Sequence, residues 1–224
     1  FVLSPPRSLA RRLLGCALRA LLLPSPYPGV SPGTNRVALR AQLAAWGKGA
    51  TELCRMVAHF GLDVVNAYMQ HVQDNAEEAV RRVIHKLSDG EFTVNMDDGS
   101  VIQVRISVDN AKREAIVDFT GTSDVRPTNY NAPSSVAKAA VLYVFRTLVD
   151  DEIPMNAGCL KPIHIVIPPG SMLSPVYPAA VVAGNVETSQ AVTNCLYGAL
   201  GVMAGAYGTM TNFTFGNDQY QYYE

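Results

Sequence analysis

Between residues 65 and 87 the apolar positions Val65, Met69, Val72, Ala76, Val80, Val83 and Leu87 are spaced 4, 3, 4, 4, 3 and 4. That period lays them along one face of a long helix over residues 62–87. Glu77 with Arg81 and Glu78 with Arg82 then form i,i+4 pairs on its wet side. Ser88-Asp89-Gly90 predicts the stop. A preceding helix at about residues 38–59 is separated from it only by Gly61, so residues 26–90 read as a helical hairpin.

The period then changes to two. FTVNM (92–96) is followed by the turn Asp97-Asp98-Gly99 and by VIQVRISV, in which Ile102, Val104, Ile106 and Val108 face one way. A second turn, DNAKRE, leads into AIVDFTG (115–121), completing an antiparallel meander of three strands. Next comes TSDVRPTNYNAPSS, a polar, proline-bearing loop of a length usually functional or disordered. A helix over about 136–149 with Ala140, Val141, Val144 and Leu148 inward, a strand IHIVIP, the loop PPGSMLSPVYP and a last helix to about Met203 follow. The predicted class is α+β: a helical hairpin, an antiparallel β meander and a mixed α/β C-terminal portion within residues 91–224. Residues 1–25 stand apart as a basic amphipathic segment.

Composition narrows the function classes. With 224 residues and 48% hydrophobic content the chain can bury a real core. A net charge of −1 gives no electrostatic footprint for nucleic acid or an anionic membrane, leaving soluble partners and small molecules. Seven of the basic residues fall in the first 50, ahead of the first acidic residue, Glu52. RSLARRLLGCALRALLLPSP (7–26) accordingly has the composition of an organellar transit peptide, with a truncated surface helix as the favoured alternative. No apolar run reaches the roughly 18 residues of a membrane span. The four cysteines lack CxxC spacing and sit in apolar surroundings, as reduced thiols of a cytosolic-type protein do.

Few residues offer chemistry of their own. His71 and His85 would lie about 21 Å apart along one helix, too far to share a metal. His59 and His164 are isolated, so no metal site is expected in this chain. Cys195 falls inside an apolar helical run and reads as core; Cys159, near Lys161, also reads as packed. GxxxxGK[ST], GxGxxG and GxSxG are all absent.

The stretch GNVETSQAVTNC (184–195) is the most suggestive. Thr188 or Ser189 can cap a helix beginning near Gln190, Glu187 sits at the positive end of its dipole, and Gly184 allows close backbone approach. One reading is a capped helix after a glycine turn. The other is a pocket whose helix N-terminus holds a carboxylate or phosphate, with Asn185 and Gln190 supplying neutral hydrogen bonds.

The strings DFTGTS (118–123), NYNAPSSVAKAAVLYVFRTLVDDEIPMNAGCLKPIHIVIPPGSMLSP (129–174), AAVVAGNVETSQ (179–190) and GTMTNFTFGNDQYQYYE (208–224), with NRVALRAQLAAW (35–46), resemble the hydantoinase B and 5-oxoprolinase family. The resemblance covers roughly residues 26–224, and the last string is most like the 5-oxoprolinase branch. It implies ATP-dependent opening of 5-oxo-L-proline or a related cyclic amide, with this chain as the B-type, ring-opening portion of one truncated domain. An A-type half would bind ATP and phosphorylate the amide oxygen; the B-type part would then complete ring opening with water.

The resemblance further implies a divalent metal and ATP, both held outside this chain, a cytoplasmic location and a homo-oligomer. An N-methylhydantoinase, a ketone carboxylase subunit and a non-catalytic truncated scaffold remain the alternatives. Its pocket-lining residues would be Asn131, Asn156, Gly184, Asn185, Glu187, Thr188, Ser189 and Gln190. Asn185 and Gln190 would orient substrate, and the amides of Thr188 and Ser189 would hold an anion. Ala38, Trp46 and Thr211 depart from the family pattern, which has Asp, Asn and Asn at those positions.

Overall fold

A computed structural model describes residues 32–210 and 213–223. The basic segment 1–25, Cys16 and the departure at Thr211 lie outside the described residues. Two compact units divide the chain after Tyr68. The division falls inside the second predicted helix.

In the first unit, α1 (Pro32–Phe60) is a 29-residue helix. Gly61, at φ +86°, ends it in the left-handed conformation that suits glycine, and α2 (Leu62–Ile84) begins immediately. Few apolar side chains of this unit are covered: Val65 is buried, whereas Trp46, Leu53, Met56 and Phe60 are exposed.

In the second unit, the sheet follows the predicted alternation. β1 (Gly90–Asn95), β2 (Val101–Asp109) and β3 (Glu114–Asp118) form the antiparallel meander, with Phe92 opposite Val104 and Ile106 opposite Val117. The strand expected at IHIVIP is β4 (Ile163–Val166), which joins the sheet parallel to β3 and completes the order β1-β2-β3-β4. Ile102, Val104, Ile106, Ala115 and Val117 are buried on one face, with Val108 only partly covered. The opposite face carries Glu91, Arg105 and His164 outward.

Two helices complete the buried side. α3 (Ser134–Thr147) buries Ala137, Ala140, Val141, Val144 and Phe145; Leu148, expected inward, is only partly covered. α4 (Ser189–Leu200) lies on β1 and β2 closely enough that Gly198 leaves no room for a Cβ beside the Phe92 ring. Ala76, Val80 and Ile84 of α2 enter the same core, but Met69 and Val72 of the predicted stripe are exposed. Both predicted i,i+4 ion pairs form. Glu77–Arg81 is largely covered, because Arg81 also donates to the carbonyls of Lys112 and Arg113 at the β2–β3 turn. A short pair, β5 (Thr214–Gly216) and β6 (Gln221–Tyr223), ends the described chain.

Candidate functional site

The polar loop after β3 and the loop before α4 are tied into one structure. Ala132 N–H donates to Met172 O, Ala183 N–H to Asn129 O, and the Thr188 hydroxyl to Tyr130 O. Asn131 is the centre of this junction and is fully buried. Its Oδ1 accepts from Arg126 N–H at 2.8 Å, while Nδ2 donates to Arg126 O, Thr128 O and Ala180 O at 2.9–3.0 Å. An amide carries two donors and one acceptor oxygen, so this side chain is fully committed. Asn131 is therefore a staple between the two loops.

The stretch that promised a capped helix folds differently. Residues Gly184–Thr188 form a π-helical turn that runs directly into α4. Thr188 is already helical, at φ −68° and ψ −38°, and no side chain caps the helix there. Its N–H points to Ala183 O and that of Ser189 to Gly184 O and Val186 O, while the Ser189 hydroxyl donates to Asn185 O. Both amides expected to hold an anion are thus consumed within the helical ladder. The cause is the turn itself, which starts the helical run at Gly184, upstream of the expected start near Gln190.

Gly184 is where the turn meets the stapled loop. A Cβ there would stand 2.5 Å from Asn131 O and 2.9 Å from Ala132 Cα, so only hydrogen fits. The next residue, Asn185, is exposed. Its side chain makes no hydrogen bond to the described residues. Glu187 and Gln190 are half-buried, with Gln190 Nε2 donating to Asn194 Oδ1 at 3.0 Å. Val176, Tyr177 and Val182 stand exposed in the adjoining loop.

Asn156 does not join this group. Its Oδ1 accepts from Gly158 N–H at 2.8 Å, and its Nδ2 reaches Val72 O and Pro154 O, anchoring the short 3-10 turn Ala157–Leu160 against α2. Gly158 is required there, since a Cβ would lie 2.1 Å from Gln73 O.

Two residues at the junction escape sequence inspection. Arg126 Nε is buried without a hydrogen bond and lies 3.6 Å from Asp98 Oδ2, and Arg126 Nη2 reaches Asp98 O at 3.4 Å. Asp98 also accepts from the Ser100 N–H and hydroxyl and from the Thr128 hydroxyl. The Ser100 hydroxyl, more than the neighbouring guanidinium, holds its carboxyl below the usual carboxylate range. Asp98 looked like a turn residue and nothing more. The clue to Arg126 was that it is the sole basic residue of the loop at 122–135.

The rest of the chemistry is packing. Cys195 Sγ points at Phe92 O and Ile102 O, and burial pushes the thiol up to about 12. Cys159 is buried as well. A hollow on the strand side, lined by Asp109, Lys112, Glu114, Lys161 and His164, has its charges already paired. Lys161 bridges Asp74 and Glu77 at 3.2 and 3.3 Å, and Lys112 lies 3.6 Å from Asp109. Among the described residues no three His, Cys, Asp or Glu side chains cluster as a metal site, and no helix is long and apolar enough to cross a membrane. The described residues offer no ligand set for a metal ion.

Comparisons with known proteins bear on the same region. Residues 20–224 match the family described as hydantoinase B/oxoprolinase. The chain is 44% identical over 195 residues to the 5-oxoprolinase of Dictyostelium discoideum, covering 83% of this chain and 15% of that protein. It is 44% identical over 214 residues to 5-oxoprolinase 1 of Arabidopsis thaliana, covering 86% and 17%. Among solved structures, the ATP-dependent caprolactamase from Pseudomonas jessenii superposes with a TM-score of 0.60 at 18% identity, over 83% of this chain and 33% of that one. This chain thus spans about one sixth of the length of those two curated relatives.

Proposed function

Since the chain belongs to the hydantoinase B/oxoprolinase family, we propose that it is the B-type portion of an ATP-dependent 5-oxoprolinase, the part that completes opening of 5-oxo-L-proline to L-glutamate. The observation that carries this reading is the pair of 44% identities to proteins named 5-oxoprolinase, along more than four fifths of the chain. An unactivated amide carbonyl is a poor electrophile, so ring opening by water needs the amide oxygen converted to a leaving group. ATP supplies that conversion in the longer enzyme, where an A-type half holds the nucleotide. A divalent metal, if used, is likewise held by other segments, because the described residues offer no ligand set.

This chain's own contribution is recognition and orientation. Asn185, exposed at the rim of the π-helical turn, is the uncommitted neutral donor and acceptor that can pair with the ring amide. Glu187 and Gln190, one residue past Val186 and two past Thr188 respectively, are half-buried beside it and complete the polar rim. Gly184, Asn131 and Thr188 fix the turn against the loop, which is the preorganisation that a binding rim needs. Ser189 supports it locally through its hydroxyl, which donates to Asn185 O. The setting we assign is cytoplasmic, as part of a homo-oligomer.

The test is a segment exchange. Residues 26–224 replace the matching segment of the Dictyostelium enzyme, and 5-oxoproline-dependent ATP hydrolysis is measured beside hydantoin- and ketone-dependent turnover. Activity with 5-oxoproline supports the assignment. A folded chimera that turns over only a hydantoin or a ketone selects one of the other family chemistries instead.

A further inference from the structure

A half-buried residue one turn beyond the rim, Asn194, is pinned by the main chain. Gly201, at φ +64°, ends α4 in the left-handed conformation and turns the chain back, so that Ala206 meets Asn194 across twelve positions. Ala206 N–H donates to Asn194 Oδ1 at 2.9 Å, and Asn194 Nδ2 reaches Ala206 O at 3.4 Å. A main-chain N–H only donates and a carbonyl only accepts, so this pair of contacts distinguishes the oxygen of Asn194 from its nitrogen. Gly205 allows the approach, since a Cβ there would stand 3.2 Å from Asn194 Cγ.

Asn194 passes its orientation to Gln190. The same Oδ1 lies 3.0 Å from the Gln190 carboxamide one helical turn back, and an acceptor oxygen there requires a donor opposite it. Gln190 therefore turns Nε2 toward Asn194. Its Oε1 is left on the other arm of the carboxamide, without a hydrogen bond among the described residues. Flipping the carboxamide would bring two acceptor oxygens face to face at 3.0 Å. Asn185, with no bond to the described residues, can turn either arm to a ligand.

We infer that Asn194 is a positioning residue: acting through Gln190, it fixes an acceptor oxygen at the rim and so selects cyclic amides with a free ring N–H over N-alkylated rings. The inference rests on the assignment of residues 184–190 as the substrate rim. Ring closure holds the N–H and the carbonyl oxygen of a lactam on one edge, cis to each other. Gln190 Oε1 accepts from the ring N–H, and Asn185 turns its amide nitrogen to the ring carbonyl. An N-methyl ring offers Oε1 no donor and sets a methyl group against it. The oxygen then loses water without gaining a partner, which is how a site built to accept a hydrogen bond rejects an analogue that lacks it.

The experiment titrates the isotope-labelled 224-residue chain with pyrrolidinone and with N-methylpyrrolidinone, following the side-chain amide signals by nuclear magnetic resonance. Gln190→Leu identifies the Gln190 signal. Pyrrolidinone should move it and bind about tenfold or more tightly than the N-methyl ring. Asn194→Ala, and independently Asn194→Lys, which offers Gln190 a donor instead of an acceptor, should bring the two affinities together. Asn194→Asp keeps an acceptor for both Ala206 and Gln190 and should retain the preference. A merely structural role would weaken both probes alike and leave their ratio unchanged in every variant. A Gln190 signal that neither lactam moves overturns the inference, as does equal binding of the two by the parent or a preference that survives both Asn194→Ala and Asn194→Lys. Ring opening by the exchanged Dictyostelium enzyme is measured separately. Turnover of 5-oxoproline there, without an N–H preference in the titration, overturns this inference and leaves the proposed function standing; the opposite pair of results does the reverse.

Discussion

Asn131 and Asn185 look alike in the sequence, two asparagines in polar loops, and behave oppositely in the fold. Asn131 is buried and bonded on both its nitrogen and its oxygen; Asn185 is exposed and unbonded. Asn131→Ala strands the Arg126 N–H and three carbonyls, and should cost about 2 kcal/mol or more, a melting shift of several degrees by calorimetry. Asn185→Ala should stay within about 0.5 kcal/mol of the parent. Sequence inspection could name both residues, because polar loops attract asparagine, but burial depends on Ala180, 49 positions away, and no local pattern encodes it. Asp98 adds a pH signature. Its carboxyl is held below the usual range, so its stabilising contribution is present at neutral pH and is lost as pH falls below the ordinary carboxylate value of about 4. Asp98→Asn should therefore lower stability at pH 7, and the difference from the parent should shrink in acid, as followed by denaturant titration at each pH.

At the level of elements, the meander was legible because Ile102, Val104 and Ile106 alternate cleanly with polar residues and two turn clusters bound the strands. The parallel addition of β4 was not legible, since IHIV carries no mark of which strand it will join. The π-helical turn was hidden for a different reason. Glycine, an acid and two hydroxyls are what an ordinary capped helix also shows, and the choice is made by the fit of Gly184 against Asn131 and Ala132. Gly184→Ala should consequently destabilise by more than about 2 kcal/mol, because a backbone carbonyl 2.5 Å away cannot yield as a side chain can. If hydrogen exchange showed the turn as protected in Gly184→Ala as in the parent, the close approach would not be what fixes it.

For the whole molecule, the apolar face of α2 that periodicity predicted is buried at Val65 and again from Ala76, while Met69 and Val72 between them stay exposed. Family membership was legible from several ordered strings along most of the length. The central claim is that this segment contributes a substrate-orienting rim to 5-oxoproline ring opening. The most direct measurement is kcat/KM for 5-oxoproline-dependent glutamate formation by the exchanged Dictyostelium enzyme, with and without Asn185→Ala, together with the melting temperature of each. The account predicts a fall of about tenfold or more, the value of roughly one hydrogen bond in a transition state, at an unchanged melting temperature. Equal kcat/KM in the two proteins, or a loss that merely follows a lowered melting temperature, would contradict it.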